Sequence, residues 1–208
     1  MRDKPWYPVL YMFVITAFFS SILIGLARFT QGRVELNRQL AVERAVLECL
    51  PVELSPKAPS LEVHEAFLER VSGPTPSSGG AYLLTEEDRV VAYAVPLDGK
   101  GFWDKIRGFI GIDTDMHTVT GISFYEQNET PGLGAEIVQP PFRSQFVGKR
   151  VSEGEKAIGI LPVGSSLGDS DVHAVTGATQ TSTRLERIIN EDLILWRTIV
   201  QSNGDPDS

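Results

Sequence analysis

Thr176-Gly177-Ala178-Thr179-Gln180-Thr181-Ser182 places four hydroxyl side chains around one glycine and one alanine, directly ahead of an amphipathic segment. In that segment Leu185, Ile188, Ile189, Leu193 and Trp196 recur at helical spacing, and Arg184, Glu186, Arg187 and Glu191 fall largely on the other side. Thr183 and Glu186 have the spacing of a capping box, which predicts a helix starting near Thr183. The motif therefore sits at a helix N-terminus, where unpaired N–H groups and the positive end of the dipole favour an anion. Gly177 and Ala178 let the backbone come close to a ligand. Two uses fit these residues: the hydroxyls cap the helix, or they surround a phosphate, which a nearby hydroxyl can also esterify.

Outward from the motif, the body of the chain reads as strands. Ala81–Thr85 and Arg89–Leu97 flank a Glu86-Glu87-Asp88 turn, and Gly99-Lys100-Gly101 forms a second turn. Arg107–Asp113 and Thr118–Glu126 form a further pair, joined around Thr114-Asp115-Met116-His117. Glu129-Thr130-Pro131-Gly132-Leu133-Gly134 follows. Pro sets φ and Gly takes positive φ, so it reads as a turn that holds one apolar residue, Leu133, between two glycines. Such a residue can lie against a flat ring with the backbone close behind.

Pro5 to Ala27 carries no charge and has no polar face, which is long enough for a hydrocarbon core. Trp6, Tyr7 and Tyr11 stand where interfacial aromatics are expected. The run exceeds the apolar region of a cleaved signal peptide, so an uncleaved anchor is expected. Residues 31–50 continue as a helix until Pro51, and a short helix is expected near Leu61–Val71. The expected organisation is a transmembrane anchor over 1–30, a stalk helix and linker over 31–80, and a soluble domain over 81–208. The fold class is α+β: antiparallel sheet with flanking helices, preceded by a single N-terminal transmembrane helix.

Composition narrows the chemistry. The 208 residues carry a formal charge of −8, yet Arg2, Lys4, Arg28 and Arg33 against Asp3 leave the first 33 residues positive. The acidity lies in the remainder, which argues against nucleic acid as a partner. Cys49 is the only cysteine, so no internal disulfide and no cysteine-ligated zinc or iron–sulfur centre can be built within the chain. His64 and His117 read as surface residues, and Glu86-Glu87 as a solvated turn. No metal site and no Ser–His–Asp arrangement is expected.

The Thr176–Ser182 motif resembles the flavinylation motif of the FMN-binding domain family, which includes the C subunit of the sodium-translocating NADH:quinone oxidoreductase and the G subunit of the Rnf electron-transport complex. The family pattern is Asp, two residues, Ser/Thr-Gly-Ala-Ser/Thr, one residue, Ser/Thr; His173 stands here at the Asp position. Glu129–Gly134 resembles the family's second signature. Gly101-Phe102-Trp103, Gly108-Phe109-Ile110, Thr118–Ile122 and Phe124-Tyr125-Glu126 resemble segments around it, so the likeness covers roughly 81–200. Two motifs in the right order are far more specific than either alone.

The resemblance implies FMN held covalently, by a phosphoester to Thr181 that a separate flavin transferase installs. It implies that Thr176, Gly177, Ala178, Thr179 and Ser182 surround the phosphate and that Glu129, Thr130 and Leu133 flank the flavin. The implied activity is electron relay within an ion-translocating Rnf- or Nqr-type respiratory complex, as a non-autonomous component beside other redox subunits. The implied location is the bacterial cytoplasmic (inner) membrane, single-pass, with the domain on the extracytoplasmic side. Two other uses remain open: a flavinylated carrier feeding an extracytoplasmic reductase outside such a complex, and a flavin-free structural or sensory membrane module, for which His173 speaks.

Overall fold

A computed structural model describes residues 6–55, 57–154 and 156–204. The chain divides into two compact units that part between Leu40 and Ala41. Helix α1, Tyr7–Cys49, contributes to both.

The first unit is the long apolar helix. Its most apolar stretch has a mean hydropathy of 2.3 and is long and apolar enough to cross a membrane. Large side chains such as Val9, Phe13 and Leu23 face outward on it. Two of its hydroxyls are turned inward: Ser21 Oγ donates to Ala17 O (2.7 Å) and Thr30 Oγ1 to Leu26 O (3.0 Å). A polar side chain bonded to the carbonyl one turn back leaves no donor unpaired in an apolar medium.

The second unit is built on a five-stranded antiparallel sheet whose strands follow sequence order: β1 (Val71–Ser72), β2 (Tyr82–Glu86), β3 (Arg89–Lys100), β4 (Lys105–Asp113) and β5 (Val119–Glu126). Each reversal has a local cause. Between β2 and β3, Glu87 and Asp88 both take positive φ (49° and 61°), the backbone of a tight hairpin. Between β4 and β5, the Asp115 carboxylate accepts the N–H groups of His117 and Thr118 and the Thr118 hydroxyl at 2.6–2.8 Å. Those bonds, the side-chain one first, hold the Asp115 carboxyl down to about 2. The turn expected at Gly99-Lys100-Gly101 lies further on. β3 runs through Gly99 and Lys100, paired with Ile106 and Lys105, and the chain reverses where Gly101 N donates to Asp104 O (2.8 Å).

Both faces of this sheet are covered. The end of α1 and helix α2 (Ser60–Arg70) pack on one face, where Val46, Leu47 and Val63 meet Leu84, Ala92, Ala94 and Phe109. Small residues permit that approach: a Cβ at Gly111 would lie 2.0 Å from Cys49 O. Cys49 is buried, and burial pushes its thiol well above the usual range, which leaves it inert. His64 keeps about a third of its side chain exposed, as a surface residue would, but it is not unpartnered: its Nδ1 sits 2.9 Å from the Oε2 of Glu43, which is buried in the core.

After β5 come a 3-10 turn (Gly134–Val138), a short helix α3 (Pro140–Arg143), a second 3-10 turn (Ser144–Phe146), and a parallel strand pair, β6 (Gly159–Leu161) with β7 (Asp171–His173). Helix α4, Thr179–Gly204, then crosses the other face of the sheet. The periodic set Leu185, Ile188, Ile189, Leu193 and Trp196 is its buried stripe, set against Val95, Leu97, Ile106, Ile110 and Ile112. Each such side chain contributes about 1.5–3 kcal/mol on burial.

The capping box is corrected. α4 begins at Thr179, four residues before Thr183. The Glu186 carboxylate accepts from Ile160 N and pairs with Lys156 Nζ (3.0 Å), so it serves β6 instead of the helix end. Asn190, also on α4, accepts from Ala157 N and Ile158 N and donates to Ile158 O (2.8 Å). These two side chains lock the parallel pair to the helix.

Candidate functional site

Two loops meet at the start of α4. The first leaves β5. Glu129 N donates to Gln127 Oε1 (2.7 Å), and Leu133 N and Ala135 N both donate to Thr130 O (3.1 Å). Gly132, at φ 73°, makes this tight fold possible and leaves Leu133 half exposed at its tip. The second loop joins β7 to α4. Ala178 N donates to Val175 O (3.1 Å), Gly177 takes φ 76°, and Ser182 N donates to Ala178 O (2.9 Å) as the helix closes its first turn. The amides of Thr179, Gln180 and Thr181 precede that bond and have no helical acceptor. A Cβ on Gly177 would lie 3.1 Å from Leu133 Cδ2, so the glycine is the space in which the two loops touch.

One hydrogen bond joins the loops chemically. Thr181 Oγ1 donates to Glu129 Oε2 at 2.7 Å, and the two residues are only 3% and 5% exposed. The other carboxylate oxygen, Oε1, accepts from Trp103 N (3.1 Å), and Trp103 Nε1 donates to Thr130 Oγ1 (3.0 Å). Two glycines make room for the pair. At Gly101 a Cβ would stand 2.5 Å from Glu129 Oε1, and at Gly134 it would stand 2.5 Å from Thr181 Oγ1. Nearby, Asp104 accepts from Lys105 N and from Asn128 Nδ2 (2.8 Å), which holds its carboxyl below the usual range and ties the β3–β4 reversal to the first loop.

Between the loops lies a cavity of about 200 Å³, walled by Phe102 and Leu133 on its apolar side and by Thr130, Thr179 and Thr181 on its polar side. Arg184 places its guanidinium over the Phe102 ring, 6.0 Å from the centroid, and its Nε is buried without a hydrogen-bond partner. An apolar wall, open helix amides and one adjacent cation suit a flat ring bearing an anionic tail.

The sequence profile of the FMN-binding domain family matches residues 101–193, a span that opens at Gly101 and contains both loops. Residues 101–193 belong to the FMN-binding domain family. Over about half its length the chain is homologous to the C subunit of Na(+)-translocating NADH-quinone reductases. It is 39% identical over 109 residues to that of Vibrio anguillarum, covering 51% of this chain and 43% of the relative. It is 40% identical over 105 residues to that of Neisseria meningitidis serogroup B, covering 49% and 40%. The matched stretch thus spans less than half the length of these curated relatives. Two solved structures share the fold. The C subunit from Parabacteroides distasonis superimposes with a TM-score of 0.67 at 23% identity, covering 83% of this chain and 96% of that one. NqrC from Shewanella oneidensis gives 0.69 at 21%, covering 82% and 98%.

Within the FMN-binding domain, the structure brings Glu129, Thr130, Leu133, Gly177, Ala178, Thr179 and Thr181 to one cavity. Thr176 and Ser182 are not among its walls. They line a second cavity of about 260 Å³ on the other side of the Gly177 turn, with Pro162 and Val163. There the Ser182 hydroxyl accepts from Val175 N (3.3 Å) and so braces the turn. His173 lies in β7, where its N–H donates to Gln145 Oε1 (2.8 Å) and its carbonyl accepts from Gln145 Nε2 (3.3 Å); its Nδ1 is buried without a partner. Sequence reasoning missed Gly101, Phe102, Trp103, Gly134 and Arg184 as site residues. The signal for the first three was present in the Gly-Phe-Trp segment. For Gly134 it was the second glycine of the turn. For Arg184 none existed, because its charge read as a solvated helix face.

Proposed function

We propose that this chain is the FMN-carrying, electron-relaying subunit of a membrane-bound complex of the Na(+)-translocating NADH–quinone reductase type, with FMN joined to Thr181 by a phosphoester. The observation that carries the reading is Thr181 itself. Its hydroxyl lies in the first turn of α4, faces the cavity between the two loops, and sits beside amides with no helical partner. FMN, when bound, supplies the redox chemistry, which no side chain here can supply. Thr181 would hold it in place, the amides of Thr179 to Thr181 and the α4 dipole would offset the phosphate charge, and Leu133 and Phe102 would border the ring.

A covalent tether suits a carrier in dilute surroundings, where free FMN would be lost by diffusion. The apolar part of α1 would anchor the chain in the bacterial cytoplasmic membrane, with the FMN-binding domain on the extracytoplasmic side. That helix carries no charge between Trp6 and Ala27, so ion movement would belong to partner subunits. The test is co-expression with a flavin transferase, followed by denaturing electrophoresis under ultraviolet light. The expected result is a fluorescent band that is absent in Thr181→Ala. A dark wild-type band beside a fluorescent band from the Vibrio anguillarum relative overturns the covalent reading.

A further inference from the structure

From the Thr181–Glu129 hydrogen bond we infer that Glu129 is the base that takes the Thr181 proton when the phosphoester forms, so that the acceptor protein supplies its own activating group. The inference rests on the reading of Thr181 as the attachment point. A threonine hydroxyl is a weak nucleophile unless a neighbouring base removes its proton as it attacks. Glu129 Oε2 accepts that proton's hydrogen bond at 2.7 Å, within the range a general base requires. The carboxylate is also aimed. Its other oxygen is held by Trp103 N at 3.1 Å, and its own amide is held by Gln127 Oε1 at 2.7 Å, so Oε2 is the oxygen left for Thr181. The glycines at 101 and 134 belong to the same device, since a side chain at either would displace Glu129 or Thr181. A bond needed only to fasten two loops together does not require a buried carboxylate; a neutral amide would do so without burying a charge.

The step balances without oxidation or reduction. A phosphodiester forms from an activated phosphate, so the donor is a flavin nucleotide linked through pyrophosphate to a second nucleotide. Thr181 Oγ1 forms a bond to the flavin-side phosphorus, and the phosphoanhydride P–O bond breaks. That electron pair departs with the nucleoside monophosphate. The hydroxyl proton passes to Glu129 Oε2 and from there to the leaving phosphate or to water.

The experiment uses the full chain in detergent with purified flavin transferase and flavin adenine dinucleotide. Attachment is followed by intact mass from pH 4 to pH 8 for wild type, Glu129→Gln and Glu129→Asp. The expected result is a rate about 10²–10⁴-fold lower in the Gln variant at pH 8. The wild-type-to-Gln ratio, which removes the transferase's own titration, is expected to be smaller at pH 4 than at pH 8. The Asp variant, with its carboxylate one methylene further from Thr181, is expected at least about tenfold slower than wild type. A folded Gln variant modified at the wild-type rate overturns the inference. So does a slow Gln variant whose ratio is flat with pH, since Glu129 then only positions Thr181. If the Gln variant loses its thermal transition, the Asp variant decides, and an unchanged rate overturns the inference. Failure of the underlying reading is seen separately: no mass increment in wild type, or an increment that survives Thr181→Ala, removes the attachment point itself.

Discussion

The two ends of α4 each border a cavity, and the larger one is not where the motifs meet. Near its C-terminal half, Met116, His117, Ser152 and Arg197 line about 670 Å³, against about 200 Å³ at the Thr181 end. The difference lies in what the polar groups are already doing. Arg197 donates to Ser152 O (3.0 Å) and to Met116 O (2.7 Å), so its charge is spent on closing the turns around β5. Burial holds its guanidinium below the usual arginine value. His117 lies 3.6 Å from Glu153, and among the described residues no group of three metal-ligating side chains occurs. At the other end, helix amides lack partners, an apolar wall stands open, and two glycines hold side chains back. Unmet bonding capacity and close backbone approach mark the candidate site; volume does not.

The strongest way to break this contrast is Thr181→Ala, which should remove covalent flavin completely; because it also takes the buried donor from Glu129 Oε2, a stability loss of about 1–3 kcal/mol is expected, read on a denaturing gel and by calorimetry. Its mirror at the far end is Arg197→Ala. Losing charge-assisted bonds to carbonyls should cost about 2–4 kcal/mol in urea unfolding of the intact chain, with attachment of flavin retained. Should Arg197→Ala instead abolish attachment, the two ends are coupled and the contrast fails. Gly134→Ala sharpens it from the site side. Its Cβ would stand 2.5 Å from Thr181 Oγ1 and 2.9 Å from Glu129 Oε2, so a stability loss of about 1–3 kcal/mol and at least about tenfold slower attachment are expected.

The smallest effect lies between the two ends, at Asp192. Its carboxylate accepts from Asp98 N (3.0 Å), but burial raises it to about 6 from the ordinary 3.8, with Asp98 and Glu191 adding repulsion. Because the folded form holds this proton more tightly than the unfolded chain, its contribution is most favourable below about pH 4 and is lost as pH rises through about 6. Discounted for partial exposure, the swing is about 1 kcal/mol. Asp192→Asn should flatten that part of the stability–pH curve, measured by urea midpoints at pH 4.5 and pH 7.

Much of this was legible from sequence because it is periodic or local. The α4 stripe from Leu185 to Trp196, the Glu87-Asp88 hairpin and the Pro51 stop each depend on residues within a few positions of one another. What was misread depended on distant partners. Thr183 and Glu186 have capping-box spacing, yet Ile160 and Lys156 claim the carboxylate. His64 is partly solvated as expected, but its contact with the buried Glu43, 21 residues away, was not legible. β6 and β7 are three residues each, too short for any alternation to register. β3 and β4 alternate poorly because helices cover both faces of the sheet, which removes the polar side that makes a strand readable.

Sequence alone was enough for the α+β class, the long apolar helix, the two loops and the hydroxyl at Thr181, since each rests on spacing or composition along the chain. Tertiary structure decided which of those residues act together. Glu129 and Thr181 are 52 positions apart, and only the return of α4 across the sheet brings them to 2.7 Å. It also divided the motif, sending Thr181 to one side of the Gly177 turn and Thr176 and Ser182 to the other, with Thr179 bordering both cavities. Gly177 takes a left-handed backbone there, which reverses the direction in which its neighbours' side chains point, and a motif written as a line of residues does not carry that information.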